Sequence, residues 1–391
     1  MTQTQNPVMQ KETETRAWLL QHVCPFWFER VMDPAGGFYE GLDAASKPVL
    51  SPERTILNQA RLTYVASHAF LLGGGAPMRA AAEHGLAFLE LACKEKGSSA
   101  GWPKRLSVDG TALDGTRDAY DHAFIIFAMA WHYRATANPK ALALANDALG
   151  FMKRFLADGA KGGYFEEYPD TGKLPRRQNP HMHLLEAVLA MYESTRDAGW
   201  LNEAGLLVRL FLDKLTDPQT GAVVEYFKKD WTVADGAAGS LREPGHQFEW
   251  VWLLGQYMQL ADDKTLTKQV ERLFSFGRDF GIDHPDKLGG AVFDGVDAGG
   301  KLVADTKLFW PQTEYIKACC YMAHSTGDRK WAEAARAHTR LLRTHYFKAD
   351  GANWCNQLSR NGDAVVDVTP SRVLYHLFLA MAELLCLEDQ A

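Results

Sequence analysis

The chain has 391 residues, 47% of them hydrophobic, and a formal net charge of −6. It is long enough for two or three average domains or one large one, and it carries no basic excess for a nucleic-acid partner or an anionic membrane surface. The first 16 residues are polar and no apolar run is long enough to cross a bilayer, which predicts neither a signal peptide nor a membrane anchor. The six cysteines form no CxxC pair, so we expect reduced thiols in a cytoplasmic protein.

A glycine followed closely by aromatic residues recurs along the chain at nearly even spacing. The copies begin at Gly36, Gly101, Gly162, Gly221, Gly289 and Gly351. The intervals between them run from 59 to 68 residues, and the series covers the whole chain. Regular self-similarity of this length is typical of repeat architectures in which each unit is one supersecondary element. The sequence therefore predicts six structural units.

Two classes of helical segment alternate between these glycines, as the spacing of apolar residues indicates. The first class is amphipathic and includes 13–31, 77–94, 140–156, 201–215, 264–280 and 330–346. The second class carries little charge after its first turn and includes 53–71, 118–133, 180–194, 245–260, 311–324 and 371–387. A helix that is apolar all round is buried, whereas an amphipathic helix lies between the core and water. Each unit is therefore predicted to contain an outer and an inner helix.

Six helical hairpins closed into a ring satisfy both patterns, with the outer helices facing water and the inner helices facing each other. We predict an all-α (α/α)6 barrel that forms one domain, residues 1–391. Two β-rich segments, 222–226 and 364–368, predict small hairpins in loops. Each inner helix follows its glycine-aromatic loop, so all six inner N-termini should share one end of the ring. Polar residues at those N-termini should then converge on one cavity.

The segment EPGHQFEW at 243–250 is the strongest candidate for chemistry. Pro244 and Gly245 break the chain and an apolar run follows, which places His246 in the first turn of a helix. The positive end of the helix dipole disfavours imidazolium there, so we expect a neutral ring that can accept a proton. Glu249 lies three residues further on along the same face. A structural helix with a hydrogen-bonded core histidine is the alternative.

The starts of the other inner helices, and one loop, carry further polar and aromatic candidates. They are Arg54, Arg61, His122, Asn179, His183, Trp310, Glu314, Trp354 and His376. Each has a structural alternative, because an arginine can pair with a buried carboxylate, a histidine can be a satisfied core residue and a tryptophan can pack. His181 and His183 point to different faces of one helix, so at most one faces the cavity. We favour His183 because it shares a face with Asn179.

Signatures of several other chemistries are absent from the sequence. It contains no HExxH motif, no cysteine-histidine ligand spacing, no phosphate-binding GxxxxGK[ST] loop and no GxSxG nucleophile motif. We therefore expect no metal ion. Basic residues in the loops either meet a phosphate or sulfonate or are solvated charges. They are Lys104, Arg105, Arg176, Arg177, Lys228 and Lys229.

Blocks on all six inner helices together resemble the N-acylglucosamine 2-epimerase superfamily, and the chain looks like its D-mannose isomerase and sulfoquinovose isomerase branch. The blocks are RTILNQAR at 54–61, YDHAF at 120–124, NPHMHLLE at 179–186, EPGHQFEW at 243–250, WPQTE at 310–314 and YHL at 375–377. The resemblance implies an (α/α)6 barrel and chemistry at C1 and C2 of a hexose, without a metal or other cofactor and with a monosaccharide as the partner. By the family pattern, the active-site set is Arg61, His183, His246, Glu249 and His376.

An aldose–ketose isomerase of this kind moves a proton from C2 to C1 of D-mannose, or a related hexose, and forms D-fructose through a cis-enediolate. We expect His376 to be the base, His246 to open the sugar ring as an acid–base, and Arg61 to stabilise the enediolate oxygen. Glu249 is expected to orient His246 or to bind a hydroxyl. Hydroxyl or stacking contacts are expected from Asn179, His183, Trp310 and Trp354.

Three alternatives stay open. A sugar 2-epimerase would use the same two histidines from opposite faces of C2. A glycoside hydrolase would need two carboxylates across a cavity, for which Glu249 and Glu314 are the pair. A non-catalytic sugar-binding protein would bind its ligand without exchanging the C2 proton. A homo-oligomer is compatible with each of these functions.

Overall fold

The computed structural model describes residues 14–94, 101–284 and 288–389. Thr13, where the first outer helix was predicted to begin, and most of the polar segment 1–16 lie outside these ranges. The helices are α1 (Cys24–Val31), α2 (Ile56–Ala69), α3 (Gly75–Lys94), α4 (Ala119–Thr136), α5 (Pro139–Phe151), α6 (Asn179–Thr195), α7 (Ala198–Leu210), α8 (Gly236–Ser240), α9 (Pro244–Ala261), α10 (Thr267–Gly281), α11 (Phe309–Thr326), α12 (Arg329–His345) and α13 (Leu374–Asp389). Tighter or wider helical turns adjoin some of them, at Trp18–Val23, Phe70–Gly74, Met152–Leu156, Phe211–Leu215 and Ser371–Val373.

The inner helices α2, α4, α6, α9, α11 and α13 form a closed ring. Each packs against the next along the chain, and α13 packs against α2. They are buried on nearly all sides, as their apolar sequences predict, and residues 121–130 of α4 are all buried. The outer helices lie around this ring and bury only one face, such as Ala335, His338 and Leu342 of α12. The predicted (α/α)6 barrel is confirmed.

Short turns join the inner helices to the outer helices that follow them. After α4, α6 and α11 the chain takes one residue in the left-handed conformation, at Ala137, Arg196 and Gly327, which ends the helix. The next residue is Asn138, Asp197 or Asp328, whose side chain accepts a hydrogen bond from the first turn of the outer helix. These turns hold each helical pair antiparallel, so the inner N-termini share one end of the barrel.

Short strands at that end mostly link one unit to the next. They are β1 (Gly41–Leu42), β2 (Glu53–Thr55), β3 (Arg105–Ser107), β4 (Ala112–Asp114), β5 (Arg117–Asp118), β6 (Glu167–Tyr168), β7 (Arg176–Arg177), β8 (Tyr226–Phe227), β9 (Gly295–Val296), β10 (Leu302–Ala304), β11 (Lys307–Leu308), β12 (Gln357–Leu358) and β13 (Thr369–Pro370). The pairs β2–β3, β5–β6, β7–β8 and β11–β12 join neighbouring loops, and β1–β13 closes the ring. The predicted short hairpins are confirmed, since Val223 pairs with Thr216 and Ala364 pairs with Leu358 in local antiparallel bridges. Strands near both segments also pair with another unit.

The glycine-aromatic repeat has a structural cause. In five units a side chain near the start of the inner helix accepts a hydrogen bond from a backbone N–H at or near the aromatic residue of the loop, at 2.7–3.1 Å. We call these side chains the loop clamps: Gln59, His122, His181, Gln247 and Gln312. Gly101 and Gly163 have φ values of +67° and +72°, and a Cβ at either would lie 2.8 Å from the clamping histidine nitrogen. The glycine therefore lets the loop both turn and approach its clamp.

Two further predictions concern the whole chain. None of the six cysteines, all within the described ranges, is in a disulfide. Among the described helices, none combines the length and apolar character that a membrane span requires.

Candidate active site

Side chains two residues after the loop clamps converge on the barrel axis. They are Arg61, Phe124, His183, Glu249 and Glu314. Neighbours in this series contact each other: Arg61 lies 4.1 Å from the Phe124 ring centroid, and the rings of Phe124 and His183 are 4.6 Å apart. Glu249 lies 3.9 Å from His183, and its carboxylate is within 4.8 Å of ligand atoms of both Glu314 and His376. Five of the inner helices each contribute one residue of this series, and the sixth, α13, contributes His376.

His376 lies in the first turn of α13 and is almost completely buried. Its Nδ1 is 2.8 Å from Oε1 of Glu314. Burial lowers the pKa of His376 well below its ordinary value, and the positive charges of Arg61 and Lys317 lower it further. A carboxylate can only accept a hydrogen bond, so the neutral ring carries its proton on Nδ1 and keeps the Nε2 lone pair. The ring is thus available as a base.

His246 lies in the first turn of α9 and has the opposite electrostatic environment. Its Nδ1 is 2.8 Å from Oε2 of Glu225 and 3.5 Å from Oε2 of Glu243. Burial lowers the pKa of His246, but the charges of Glu225 and Glu243 outweigh burial and raise the pKa to about 10. The expectation of a neutral ring is therefore wrong. The carboxylate that holds Nδ1 of His246 is Glu225. Glu249, which was expected to orient this ring or to bind a hydroxyl, lies near His183 and Lys317.

A hydrogen-bonded chain fixes Glu225 in its accepting role. The indole N–H of Trp250 donates to Gln178 at 2.7 Å, which leaves the Gln178 amide to donate to Glu225 at 3.0 Å. The backbone N–H of Glu243 donates to the other oxygen of Glu225 at 3.1 Å. With His246, three donors meet this buried carboxylate, so both of its oxygens act as acceptors. The imidazolium of His246 therefore has a fixed counter-ion.

Trp310 lies between the two histidines. Its ring centroid is 4.9 Å from that of His246 and 5.6 Å from that of His376, and each imidazole is tilted against the indole. The two imidazoles therefore share one compartment, with a flat apolar surface between them. A hexose that contacted this indole would be within reach of both rings.

Several buried polar atoms of the inner helices have no hydrogen-bond partner within the described ranges. They include Nε of Arg61, Oδ1 of Asn179 and Oε1 of Glu249, as well as Oε2 of Glu314 and Nζ of Lys317, which form an ion pair with each other. Another guanidinium nitrogen of Arg61 donates to the Tyr120 hydroxyl at 2.7 Å, which fixes the side chain. Buried polar atoms are normally satisfied, and such exceptions at a site are suited to a ligand rich in hydroxyl groups.

His183 is held in the cluster by a second carboxylate. Its Nδ1 lies 3.0 Å from Oε2 of Glu186, and Glu186 accepts a hydrogen bond from the Tyr375 hydroxyl at 2.5 Å. Burial lowers the pKa of His183 to about 3, so the ring is neutral. Its Nε2 is then a hydrogen-bond acceptor for a hydroxyl. The preference for His183 over His181 agrees with this placement, since His181 is a loop clamp.

Three of the predicted site residues lie outside the cluster. Arg54 is ion-paired with Asp33 and donates to the backbone carbonyls of its own loop. His122 is a loop clamp, and its Nδ1 contacts the carbonyl of Asp118 at 2.7 Å. Trp354 stacks on Phe309 with ring centroids 4.8 Å apart. These three side chains therefore have structural roles, as an ion pair, a loop clamp and a packed ring, in place of the predicted contact with substrate.

Two charged residues of the site escaped sequence reasoning. Glu225 lies in a loop that was read as a strand, and nothing in its sequence points to His246. Lys317 lies one turn after Glu314, is fully buried, and forms an ion pair with Glu314 at 2.6 Å. The signal for Lys317 was present, since a lysine at the centre of an otherwise apolar inner helix requires buried carboxylates as partners.

Three groups of histidines and carboxylates in the described residues have the spacing of metal ligands. They are His183–Glu186–Glu249, Glu225–Glu243–His246 and Glu249–Glu314–His376. Protein cations already balance much of their charge. Lys317 lies 2.6 Å from Glu314 and 3.9 Å from Glu249, and the group of Glu225 and Glu243 contains the imidazolium of His246. These donors have no need of a metal ion for charge balance, and metal independence stays a prediction.

A cavity of about 850 Å³ opens at the opposite end of the barrel. Its lining includes His68, Trp131 and Glu383, and it extends inward as far as Glu186. Burial lowers the pKa of His68 to about 3, and the ring stacks on Trp131 at 3.8 Å. The opposed acid and base described above are not in this lining, so the cavity is not the candidate for the chemistry.

Known proteins are similar to this chain in sequence and in architecture. The profile of the family described as N-acylglucosamine 2-epimerase (GlcNAc 2-epimerase) matches residues 36–380. The chain is 31% identical to a mannose-6-phosphate isomerase of Rhizobium meliloti (strain 1021), over 95% of this chain and 96% of the relative. Its fold matches the cellobiose 2-epimerase of Spirochaeta thermophila DSM 6192 with a TM-score of 0.86, 22% identity and coverage of 100% and 99%. A D-mannose isomerase crystal structure matches with a TM-score of 0.84, 21% identity and coverage of 99% of each chain.

Proposed function

The chain belongs to the N-acylglucosamine 2-epimerase family, and on that premise we propose that it interconverts D-mannose, or a closely related hexose, and D-fructose. Its relatives make it an enzyme that acts on sugars, a sugar isomerase or epimerase. The proposal concerns the finer choice, aldose–ketose isomerisation through a cis-enediolate. Relatives that are named mannose-6-phosphate isomerase and D-mannose isomerase are consistent with that choice.

The opposed protonation states of His246 and His376 carry the proposal. In an isomerase, one neutral base takes the proton from C2 and returns it to C1, so it ends each turnover in its starting state. In a 2-epimerase, one histidine takes the C2 proton from one face of the sugar and the other histidine donates a proton to the opposite face, so the two rings exchange protonation states in every turnover. The environments here favour a protonated His246 and a neutral His376, and they oppose that exchange. The fixed asymmetry favours a single-base isomerase.

In the proposed mechanism His246 acts first, as the acid that assists opening of the sugar ring. His376 then removes the C2 proton through Nε2 and delivers it to C1, while His246 carries the hydroxyl proton from O2 to O1, so that C2 becomes the ketone and C1 the alcohol. General acid–base assistance of this kind contributes about 10²–10⁴ in rate. Arg61 stabilises the enediolate oxygen, because its charge is fixed in a buried position where it acts with little screening.

Hydroxyl groups of the sugar would be held by the unsatisfied atoms of the compartment. Asn179 and Glu249 offer oxygen acceptors, and His183 offers Nε2. Trp310 provides a flat wall between the two histidines. Trp354 has no part in this assignment because it packs in a separate aromatic cluster.

The charges of the loops support an uncharged sugar. Each basic residue singled out in the sequence as a possible phosphate or sulfonate ligand is paired with a carboxylate. The pairs are Lys104–Asp118, Arg105–Glu53, Arg176–Asp158, Arg177–Glu166, Lys228–Asp235 and Lys229–Asp170. An anionic group would have to compete with these carboxylates. We therefore propose a free hexose as the substrate in preference to its 6-phosphate.

A 2-epimerase is the second candidate, because two imidazoles flank one indole and could address opposite faces of C2. Glycoside hydrolysis is less well supported. It requires a free acid and a free carboxylate, whereas Glu314 is engaged by both His376 and Lys317.

Mannose labelled with deuterium at C2 distinguishes the two main candidates. Proton and deuterium NMR should detect fructose that carries part of the label at C1, because the same base returns the isotope it removed. Glucose with protium at C2 as the sole product would instead establish a 2-epimerase. Parallel incubations with mannose 6-phosphate test the proposed preference for an uncharged sugar. Failure to convert any free hexose would overturn the proposal.

A further inference from the structure

Lys317 lies at the centre of the barrel, where an ammonium group needs an explanation. Its side chain is fully buried on α11, one turn after Glu314. Nζ lies 2.6 Å from Oε2 of Glu314, 3.9 Å from Oε1 of Glu249 and 4.3 Å from the Trp252 ring centroid. A charged group in such a place is costly to bury unless its partners require the charge. The partner in closest contact is the carboxylate that holds His376.

We propose that Lys317 is a positioning residue that keeps Glu314 ionised and thereby fixes the tautomer of His376 in which Nε2 is free to accept the sugar proton. The inference rests on the proposed role of His376 as the base. It extends that role by assigning the tautomer of His376 to Lys317, which among the described residues is ion-paired with Glu314 and Glu249.

The geometry of Glu314 transmits the effect. Its Oε1 lies 2.8 Å from Nδ1 of His376, while Oε2 is the oxygen in contact with Lys317. As a carboxylate, Glu314 can only accept, so Nδ1 of His376 must donate and Nε2 is left unprotonated. As a carboxylic acid, Glu314 could donate to Nδ1, and the proton of His376 would then move to Nε2. That tautomer cannot take a proton from the sugar.

The surroundings of Glu314 make a nearby cation necessary. Burial and the negative charge of Glu249 on α9 raise the pKa of Glu314, and Glu186 on α6 adds to the effect. Lys317 acts in the opposite direction, although the pKa of Glu314 stays above its ordinary value. The 2.6 Å ion pair also raises the pKa of Lys317 against the effect of burial, so the proton of the pair belongs to the lysine. Without the ammonium, a fully buried carboxyl beside other carboxylates would take up a proton at a higher pH.

Other charged and titratable groups face Lys317 and do not replace it. Glu383 on α13 has its pKa lowered by Lys317, although burial raises that pKa overall. His183 on α6 and His376 on α13 are neutral rings whose pKa values are lowered by burial and by surrounding charges that include Lys317. Arg61 contributes positive charge to His376 from α2, yet it is not ion-paired with Glu314 within the described residues. Among the cations of the described residues, Lys317 is the one that forms an ion pair with Oε2 of Glu314.

The test is Lys317→Met, which keeps the length of the side chain and removes its charge. We expect the acidic limb of the kcat/KM profile to move to higher pH by about one unit or more, since Glu314 then protonates more readily. Activity at neutral pH should fall by at least tenfold and recover in part at alkaline pH. An unchanged profile would overturn the proposal.

Lys307→Met is the matched control. Lys307 is also fully buried and ion-paired, with Asp283 at 2.6 Å, but it lies in strand β11. Its removal should lower thermal stability and leave the pH profile of kcat/KM unchanged. If both variants show the same loss of stability and the same profile as the wild type, Lys317 is only structural.

A second variant and a second measurement cover poor folding and absent turnover. The double variant Lys317→Met/Glu314→Gln removes both charges, and its acidic limb should lose the displacement because residue 314 no longer titrates. Nitrogen-15 NMR of the histidine rings reads the tautomer without substrate. His376 should carry its proton on Nδ1 in the wild type and on Nε2 in Lys317→Met at neutral pH. The same tautomer in both proteins would refute the inference, whatever sugar the enzyme uses.

Discussion

His246 and His376 are both buried, lie in the first turns of inner helices and contact the same indole, yet their protonation differs. His246 faces Glu225 and Glu243, and its pKa is raised to about 10. His376 shares its one carboxylate partner with a lysine, and its pKa is lowered well below the ordinary value. Burial acts in the same direction on both rings. The difference therefore comes from the balance of charges within hydrogen-bond and ion-pair distance.

The comparison shows how the barrel obtains an acid and a base from one residue type. Each imidazole has one nitrogen held by a carboxylate, which leaves the other for the substrate. Glu225 forms its ion pair with His246, whereas Glu314 is paired with Lys317 as well as with His376. Groups whose environments separate their pKa values in this way indicate which is the acid and which is the base.

The largest expected effect is the loss of either imidazole. His376→Ala and His246→Ala should each reduce kcat by about 10²–10⁴, because each removes a proton-transfer group from the reaction. Circular dichroism and thermal melting should show that both variants remain folded. Activity within tenfold of the wild type in either variant would remove that histidine from the mechanism.

A smaller effect should follow from Glu225→Gln, which leaves the ring of His246 in place and removes the charge that protonates it. The pKa of His246 should fall from about 10 towards its ordinary value. His246 acts as an acid while it is protonated, so the alkaline limb of kcat/KM should move to lower pH. The measurement is the pH profile across the neutral and alkaline range. Superimposable profiles of the variant and the wild type would contradict the acid role.

Glu243→Gln is the matched control for Glu225→Gln. Its carboxylate lies further from Nδ1 of His246, at 3.5 Å instead of 2.8 Å, and its side chain is 25% exposed. Solvent screens such a charge more strongly. The alkaline limb should therefore move in the same direction by a smaller amount. A larger displacement in Glu243→Gln than in Glu225→Gln would show that Glu243 is the main counter-ion of His246.

The same balance explains which part of the site could be predicted from sequence. The six inner helices were predictable because they are apolar all round, and the convergence of their N-termini followed from the repeat. The charge on His246 was not predictable, because Glu225 lies in a loop 21 residues away in the sequence. The interaction of a charged side chain with the dipole at a helix end contributes about 0.3–1 kcal/mol. A charge pair about 4 Å apart near a protein surface is worth about 4 kcal/mol. The carboxylates therefore outweigh the helix dipole on which the prediction depended.

The repeat also contained information that was not used. His122 occupies the position at which Gln59, Gln247 and Gln312 occur in their own units, and all four clamp a loop. His183 occupies the position of Arg61, Glu249 and Glu314, two residues further on. Alignment of the units with each other separates a structural histidine from a site histidine without any coordinates. Strand pairing between units was not accessible in this way, because each strand has only two or three residues.

A third histidine gives the smallest expected effect and separates burial from position. Burial lowers the pKa of His122 to about 4, so this ring is neutral like that of His376, but it clamps the backbone N–H of Trp102 at 3.1 Å. In His122→Gln the new amide can accept the same hydrogen bond, as the glutamines of three other units do. Activity should stay within about twofold of the wild type, since general acid–base catalysis needs a group at the substrate.

The control is His122→Ala, which leaves the buried N–H of Trp102 without a partner. An unsatisfied buried donor costs about 1–3 kcal/mol, so the free energy of unfolding in urea should fall by that amount while kcat/KM changes little. A fall in kcat/KM of a hundredfold or more in folded His122→Gln would place this ring in the reaction. Catalysis would then depend on buried neutral imidazoles in general, and the local charges that distinguish His246 from His376 would affect kcat/KM less than burial does.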